Sequence, residues 1–501
     1  MQIPEVVRNR ILHAAAFLLG VCCARSLFYP EDWPLLHRAS IGILPVVIGV
    51  ELVFRKMNKP LIGCLILLGM AWASLRFQSL ARSGHASFGE LVWAQCLESI
   101  NESKSTYLVR VEGLEAPLRM KVKEGLIQAG AVFEIPTANL KPLVCRGHEP
   151  GRFCYARWSM DRCQAYSIFL NKAPIIHGRQ PLPLLFRFRE EIKTRLCRRT
   201  SLKVRPWALA LVLGDKGQFD QDEISRVKDL GLMHVLAISG LHIGLFFQCL
   251  LGLIRVLPLS LTAVRWGQLA LLAFVWGYAA LCHMVPSVLR ASIFITWSVI
   301  GRSFLRCPSD PQLVWPISLL IQLVIRPQDA FDMGFQLSYL ATAALFYIMP
   351  NGPWKRKGLK VISTTLICSV LTFPLLVFSS GYFSLGFWIG SMCLAPVLVL
   401  VIPLFWMGLF LPDGIFLFED AAMQFFLLLW GQIPRQLVHY WQLDSISVYE
   451  ALLLELSLVY FLTILAKLFS HFHAYMVRFG FYGSVSKIRT VWSDCRNGSL
   501  P

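Results

Sequence analysis

Apolar stretches recur along almost the whole chain, and this pattern limits the possible fold more than any other feature. Hydrophobic residues make up 55% of the 501 residues and charged residues 16%, with a mean hydropathy of +0.56. This is more apolar than a soluble globular protein of this size. The sequence predicts a polytopic α-helical membrane protein with about 10–12 transmembrane or re-entrant helices, since several stretches are shorter than a straight span requires. The apolar stretches are residues 11–28, 39–54, 61–77, 232–257, 264–282, 288–304, 313–325, 335–349, 359–378, 387–410, 415–433 and 448–469.

Lysine and arginine residues in the short loops indicate how the bundle is oriented. Cytoplasmic loops are enriched in these residues. They recur in alternate connections, near Arg55, Arg255, Arg302 and Lys355, whereas the loops 283–287 and 379–386 contain none. We therefore expect both termini in the cytoplasm and the long segment 78–205 outside, with the first apolar stretch kept as an anchor.

Segment 78–205 differs from the rest of the chain in composition. It contains 21 Lys and Arg against 11 Asp and Glu. Short strand-like runs alternate with turns rich in glycine and proline, which predicts a small β-barrel. Its basic surface suits a polyanion such as nucleic acid, or anionic lipid headgroups. Aromatic residues beside basic ones favour nucleic acid, because bases stack on aromatic rings. The candidate DNA-binding residues are Arg152, Tyr155, Arg157 and Trp158.

Polar residues interrupt the apolar run from His234 to Phe246. They are His234, Ser239 and His242, and the run also contains Gly240-x-x-x-Gly244. Polar groups in hydrocarbon are costly unless they are paired or face water. Two interpretations follow. The residues line a functional path, or they form a packing seam in which glycines admit another helix and the histidines are satisfied.

Further polar residues lie in later apolar stretches. Asp332, Gln336 and Tyr339 have the spacing of one helix face. Arg290 would cost about 2.5–3.5 kcal/mol if it faced lipid at mid-bilayer. We expect it either to pair with Asp332 or to touch a passing anion. Broken or kinked helices are also predicted at three prolines inside apolar stretches, Pro374, Pro396 and Pro403.

Several common chemistries have no support in the sequence. No Cys-x-x-Cys pair occurs, and the pair His471 and His473 has no acidic residue close by. We therefore expect no metal site and no other cofactor. No P-loop and no Gly-x-Ser-x-Gly elbow occurs, so we expect no enzyme activity. Four cysteines lie where a disulfide is chemically possible, Cys96, Cys145, Cys154 and Cys163.

A set of motifs resembles the ComEC family of DNA-uptake channels, in the family's order. The motifs are Leu211–Gly217, Gly231–Gly244, Val285–Ala291 and Arg326–Tyr339. Upstream, His148–Arg157 is similar to the element that closes the family's external OB-like domain, with Cys154 in place of the usual aspartate. The resemblance covers residues 10–470.

The resemblance implies a channel that imports single-stranded DNA across the bacterial inner membrane during natural transformation. A DNA receptor, a separate nuclease and a cytoplasmic motor are the implied partners, besides the lipid bilayer. The sequence contains no His-x-His-x-Asp-His cluster of the family's metallo-β-lactamase-like domain, so we expect no nuclease activity. The residues expected to line or brace the channel are His234, Ser239, Gly240, His242, Gly244, Arg290, Asp332, Gln336 and Ser338.

Two other function classes stay open at this stage. A secondary transporter of a small anion would also need broken helices and a buried arginine. A membrane-embedded transferase could use His234 or His242 as a base. The expected division of the chain is N-terminal helices at 1–77, the OB-like domain at 78–205, amphipathic interfacial helices at 206–230, the channel domain at 231–470 and a basic cytoplasmic tail at 471–501.

Overall fold

The structure is a computed structural model. It describes residues 91–101, 105–112, 117–142, 166–256, 258, 260–303, 310–348, 357–380, 382–384, 386, 390–410, 416–433 and 440–442. Arg152, Tyr155, Arg157 and Trp158 lie outside these residues, as do the apolar stretches before residue 78 and after residue 447.

Seven strands form one curled sheet in the first part of the described chain. They are β1 Leu91–Asn101, β2 Thr106–Val111, β3 Leu118–Glu124, β4 Ala131–Pro136, β5 Leu140–Pro142, β6 Tyr166–Lys172 and β7 Ile176–Arg179. Their order is β5-β6-β3-β2-β1-β4-β7. The pairs are antiparallel except for β3 with β6, which is parallel.

The chain connectivity makes this sheet a partly closed barrel. Strands β4 and β5 are separated only by the short 3-10 helix Thr137–Asn139. Strand β4 pairs with β1, and β5 pairs with β6. The continuous segment from β4 to β5 therefore connects the two outer strands of the four-stranded order β1-β2-β3-β6. Alternate residues point inward, as the burial pattern of β3 shows, and form a core around Phe133, Met120 and Ile168. The arrangement agrees with the small barrel predicted from the sequence.

Helices make up most of the remaining described chain. They are α1 Leu184–Arg199, α2 Arg205–Leu213, α3 Gln221–Asp229, α4 Met233–Leu236, α5 Gly240–Val256, α6 Leu261–Leu281, α7 Pro286–Ser303, α8 Pro311–Ile325, α9 Met333–Ala343, α10 Lys357–Ser380, α11 Ala395–Phe410 and α12 Phe416–Gln432. A 3-10 helix at Pro327–Phe331 precedes α9, and π-helical turns occupy Ala344–Ile348 and Gly390–Leu394. A two-stranded sheet pairs β8 Tyr382–Ser384 with β9 Tyr440–Gln442.

Within the described ranges one helix, Ala263–Leu281, is long and apolar enough to cross a membrane. Shorter apolar helices of 10–17 residues accompany it, among them Gly240–Val256 and Val314–Ile325. Most of them fall on apolar stretches of the sequence. The number of membrane crossings and their direction stay predictions.

Two of the three prolines do not break their helices, and a kink at them stays a prediction. Helix α10 runs through Pro374 and α11 runs through Pro403. Pro396 is the second residue of α11, where it directly follows a π-helical turn. Gly390–Trp406 form one continuous apolar helix, so Pro396 lies inside it, and the π-helical turn is a local irregularity next to the proline. The main interruption lies elsewhere, between α4 and α5.

Helices α2 and α3 have clear local signals at their ends. Pro206 lies in the first turn of α2, and Gly214 ends it with a left-handed φ of 71°, as the C-terminal cap requires. At α3, the Asp220 N–H donates to Glu223 Oε2 at 3.2 Å in a capping box, which accounts for the acidic residues there. Helix α2 is buried in the helical core from Pro206 to Leu213. The interfacial position of the two helices relative to a membrane stays a prediction.

Buried charges join the barrel to the helical bundle. Arg189 of α1 donates from Nε to Glu98 Oε1 of β1 at 2.8 Å, and its Nη1 donates to the backbone oxygens of Leu213, at 3.0 Å, and Leu281. His283 Nε2 lies 3.2 Å from Glu98 Oε2. Burial alone would raise the pKa of Glu98, but the His283 hydrogen bond and the Arg189 charge outweigh it and lower the pKa from 4.5 to about 2. Glu98 is therefore a buried carboxylate held in its charged form.

A second ion pair reinforces this barrel–bundle junction. Lys193 Nζ of α1 lies 2.9 Å from Asp215 Oδ2 and donates to the Ser99 oxygen of β1 at 3.0 Å. Burial opposes the charged lysine, but Asp215 outweighs it and raises the pKa of Lys193. Leu196 of the same helix enters the hydrophobic core of the bundle. Helix α1 thus fixes the barrel over the end of the bundle that contains residues 213–215 and 281–283.

Candidate functional site

The apolar run 232–257 is not one helix. Helix α4 ends at Leu236, Ala237 is extended with φ −79° and ψ 125°, and α5 begins at Gly240. Ser287, in the first turn of α7, donates from Oγ to the Ile238 oxygen at 2.8 Å. The break in the run therefore lies beside the start of α7, at the barrel end of the bundle.

Ser239 and His242 form a reciprocal cap at the start of α5. Ser239 Oγ accepts the Leu241 N–H at 3.2 Å, and His242 Nδ1 accepts the Ser239 N–H at 3.2 Å. This is a capping box in which histidine occupies the place usually held by Glu or Gln. A backbone N–H can only donate, so Nδ1 is the acceptor and a neutral ring has its proton on Nε2. His242 is fully buried, and Nε2 has no hydrogen-bond partner among the described residues.

Arg290 of α7 lies directly against this cap. A Cβ added at Gly240 would be 2.8 Å from Arg290 Nη2 and 3.3 Å from the Ala291 Cβ. On its other side the guanidinium lies over the Tyr339 ring of α9, with Cζ 5.6 Å from the centroid. Arg290 Nε is buried without a hydrogen-bond partner in the described part of the chain. The ion pair predicted between Arg290 and Asp332 is not formed.

Asp332 serves instead as the N-cap of α9. Its Oδ1 accepts the N–H groups of Gly334 at 2.8 Å and Phe335 at 3.3 Å. The prediction that Asp332 extends the helical polar face of Gln336 and Tyr339 is wrong, because the residue precedes the helix. Gln336 is fully buried, with Nε2 bonded to the Ala330 oxygen at 2.8 Å and Oε1 unpaired within the described ranges.

A hydrogen-bond network holds Tyr339 beneath Arg290. The Tyr339 hydroxyl donates to Gln322 Oε1 at 3.1 Å, and Gln322 Nε2 donates to Asp329 Oδ2 at 3.0 Å and to the Pro286 oxygen at 3.1 Å. Arg326 donates to the Met284 oxygen at 2.7 Å. The network connects α8, α9 and the first residues of α7. It therefore fixes the element from which Arg290 projects.

These contacts make an electropositive, incompletely paired cluster inside the bundle. The N-terminus of α5 has a partial positive charge, and Arg290 brings a full positive charge beside it. A full positive charge beside a partial one, with few acceptors nearby, is a favourable site for an anion. We name Gly240, His242, Arg290 and Tyr339 the polar cluster.

Three further residues that the sequence predicts to line or brace the channel are His234, Ser338 and Gly244. His234 is exposed, with Nδ1 2.6 Å from the Gly231 oxygen. Ser338 is half-buried, and its backbone oxygen accepts the Thr342 hydroxyl at 2.9 Å. A Cβ at Gly244 would meet no described atom within 4 Å. No described helix therefore approaches closely at Gly244, as the packing-seam interpretation would require.

Sequence reasoning missed Gln322, Ser318 and the barrel–bundle junction. Gln322 and Ser318 are polar residues in the apolar stretch 313–325, so the rule that selected His242 could have found them. Glu98 and Arg189 are 91 positions apart, and no local pattern connects them. Cys96 is a free buried thiol, while Cys145, Cys154 and Cys163 lie outside the described residues. No group of three or more metal-ligating side chains occurs in the part of the chain that the structure describes.

Comparison with known proteins gives one family. The family model described as Competence protein matches residues 211–475, which include the polar cluster and the barrel–bundle residue Asp215. No solved structure matches the chain.

Three curated relatives match parts of the chain at 26–30% identity. ComE operon protein 3 of Bacillus subtilis (strain 168) is 27% identical over 177 residues, 35% of this chain and 22% of that protein. Uncharacterized protein YcaI of Escherichia coli (strain K12) is 26% identical over 260 residues, 46% and 34% of the two chains. An uncharacterized protein of Aquifex aeolicus (strain VF5) is 30% identical over 171 residues, 34% and 37% of the two chains. In each case the chain spans well under half of the relative's length.

Proposed function

The chain belongs to the competence protein family, and from this premise we propose that it forms the channel through which single-stranded DNA enters the cell. The family is membrane-associated and takes part in DNA uptake. We propose a multi-pass inner-membrane position with the barrel outside and both termini in the cytoplasm. We further propose that the chain has no catalytic activity of its own. A receptor, a separate nuclease and a cytoplasmic motor would act before and after it.

The observation that supports the path most strongly is the placement of Arg290. Its guanidinium lies beside Gly240 at the N-terminus of α5, where a Cβ would be 2.8 Å from Nη2, and it has no carboxylate partner among the described residues. An unpaired cation inside an apolar bundle is costly unless an anion or water reaches it. Phosphate groups of a moving strand are such anions. The Nε2–H group of His242 would add a hydrogen-bond donor for phosphate within the same cluster.

The location of the cluster supports the same proposal. The break before α5, the start of α7 and the barrel–bundle junction all lie at one end of the bundle. A strand that leaves the barrel would therefore meet Arg290 and the α5 N-terminus next. Irregular backbone at membrane depth is tolerated where it lines a protein or water-filled cavity.

An uptake assay that follows a label tests this proposal. Cells that depend on this chain receive labelled DNA, and the label protected from external nuclease is measured with the amount of chain in the membrane. Variants His242→Ala and Arg290→Ala should reach parental levels and protect little DNA. If both import DNA at the parental rate, the path is wrong. If Arg290→Ala blocks a labelled small anion but not DNA, the transporter alternative replaces the channel.

Topology has its own test. A cysteine in place of Lys121 should react with an impermeant thiol reagent from outside, and one in place of Lys357 only after the membrane is opened. Reaction of both from the same side would contradict the proposed orientation.

A further inference from the structure

One part of the barrel's outer surface combines exposed cations with an exposed aromatic ring. On β3 the outward residues are Arg119, Lys121 and Lys123, which alternate with the buried Leu118, Met120 and Val122. Lys121 and Lys123 are exposed. The parallel register pairs Lys121 with Phe169 of β6, and Phe169 is 52% exposed. Paired residues of neighbouring strands point to the same side of a sheet.

Lys121, Lys123 and Phe169 on this surface are available for a ligand. No ion pair joins Lys121 or Lys123 to any residue that the structure describes, and Phe169 has no aromatic partner in the same ranges. Alternate residues on a strand lie about 7 Å apart. This is close to the distance between neighbouring phosphates in an extended single strand, so a row of cations can follow one.

The outer surface around Trp93 of β1 also has an exposed aromatic ring, but its surroundings differ from those of Phe169. Trp93 on β1 is also exposed, but its ring contacts His177 with a centroid distance of 5.4 Å, and the register places it beside Glu134. Glu112 follows on the other side, where its N–H donates to the Trp93 oxygen. The charges around Trp93 are mixed, because the exposed Arg110 lies opposite Gln95 on the same outer face as Glu112 and Glu134. The lysine pair and the open ring of Phe169 therefore distinguish the β3–β6 part of the outer surface from the part around Trp93.

We propose that the basic face, defined as Lys121, Lys123 and Phe169, binds single-stranded nucleic acid before it reaches the bundle. The lysines contact phosphates and Phe169 stacks on a base, a combination that binds single strands without sequence preference. This inference rests on the proposed DNA-uptake function and specifies where on the barrel the substrate is held. It requires no side chain of the segment 143–165.

Equilibrium binding of labelled oligo(dT) to the full chain in phosphatidylcholine nanodiscs tests the lysines. The double variant Lys121→Glu/Lys123→Glu should bind more weakly, and the magnitude of its log–log salt slope should fall by about 1.4, or about 0.7 per phosphate contact. The charge-matched control Lys203→Glu/Lys228→Glu changes two exposed lysines away from the face and should retain the parental slope. Equal slopes in all three proteins, or equal loss in the control, would overturn the proposal.

Phe169 provides an independent test that separates stacking from folding. Phe169→Ala should weaken binding about 5- to 100-fold, and Phe169→Tyr should preserve it. On an abasic strand the parent and Phe169→Ala should bind alike. A loss of the same size on the abasic strand shows that the ring does not stack, and the assignment of Phe169 is overturned.

Lipid binding is the competing outcome. If the lysine reversals weaken binding to phosphatidylglycerol vesicles but leave oligo(dT) affinity unchanged, the face contacts lipid and the proposal fails. These assays need no transport, so their result is independent of the channel. If oligo(dT) binding does not depend on the basic face but uptake still depends on Arg290, this inference fails and the proposed function stands. If binding depends on the basic face but uptake does not depend on Arg290 or His242, only the proposed path through the bundle is refuted.

Discussion

The guanidinium of Arg290 lies over the Tyr339 ring, with Cζ 5.6 Å from the ring centroid. A cation–π contact contributes roughly 0.5–2 kcal/mol, which does not replace the hydration that an arginine loses on burial. Tyr339 is itself fixed by Gln322, which also holds the start of α7. Tyr339 and Gln322 therefore keep the partly buried Arg290 in place without a carboxylate partner among the described residues.

Arg290→Leu should separate function from stability. Because the arginine has no carboxylate partner among the described residues, removal of its charge should leave the unfolding free energy equal to the parent's or about 1 kcal/mol higher. DNA uptake should be lost. Arg290→Lys should retain part of the uptake if positive charge suffices. Thermal unfolding in detergent and nuclease-protected uptake give the two values. A strongly destabilised Arg290→Leu chain would show that the residue mainly supports the fold.

The two glycines at the start of α5 offer a matched pair. In Gly240→Ala the new Cβ would lie 2.8 Å from Arg290 Nη2, so the flexible end of Arg290 must move. Uptake should fall while the protein level stays normal. Gly244→Ala meets no described atom within 4 Å and should raise stability by roughly 0.5–1 kcal/mol with normal uptake. Similar behaviour of the two variants in both assays would contradict the placement of Arg290.

His242 can be tested separately as a cap and as a donor. His242→Gln keeps a side chain that can accept the Ser239 N–H, as in an ordinary capping box, but it does not reproduce the ring donor Nε2–H. We expect normal stability and reduced uptake. Ser239→Ala removes the reciprocal cap and should cost about 1 kcal/mol of stability. Parental uptake by His242→Gln would mean that His242 is only a cap.

The Glu98 carboxylate makes the barrel–bundle junction dependent on pH. Its pKa in the folded chain is about 2, below the ordinary 4.5, so its stabilising effect is complete above pH 4.5 and is lost as the pH falls towards 2. The difference corresponds to about 3 kcal/mol. Glu98→Gln should be destabilised by about 3–5 kcal/mol at neutral pH, because Arg189 loses its carboxylate. This deficit should shrink between pH 4.5 and 2.

The control for this prediction removes both charges. Glu98→Leu/Arg189→Leu should be closer to the parent than Glu98→Gln at neutral pH, since no buried charge is left unpaired. Unfolding followed by tryptophan fluorescence across the pH range measures all three proteins. A constant deficit of Glu98→Gln at every pH would contradict the assignment of Glu98 as the titrating group.

The sequence predicted the helices better than it predicted their interruptions. Helices α6, α7 and α8 fall on apolar stretches, because their length and periodicity are local properties. The break at residues 237–239 was not predicted, since Ala237 and Ile238 are as apolar as their neighbours. The spacing of Ser239 and His242 was that of a capping box, but histidine is not the usual partner. The ion pair of Glu98 with Arg189 depends on the tertiary fold and could not be predicted from one sequence.

The central claim is that incoming DNA passes Arg290 and Tyr339. Photochemical crosslinking during uptake tests it most directly, with p-azidophenylalanine in place of Tyr339, which is fully buried, and in place of Phe274 of α6, which is 61% exposed, as the control. Irradiation of cells importing labelled single-stranded DNA should attach the label to the chain at position 339 and not at position 274. Active uptake without a crosslink at position 339, or with equal crosslinking at both positions, would contradict the claim.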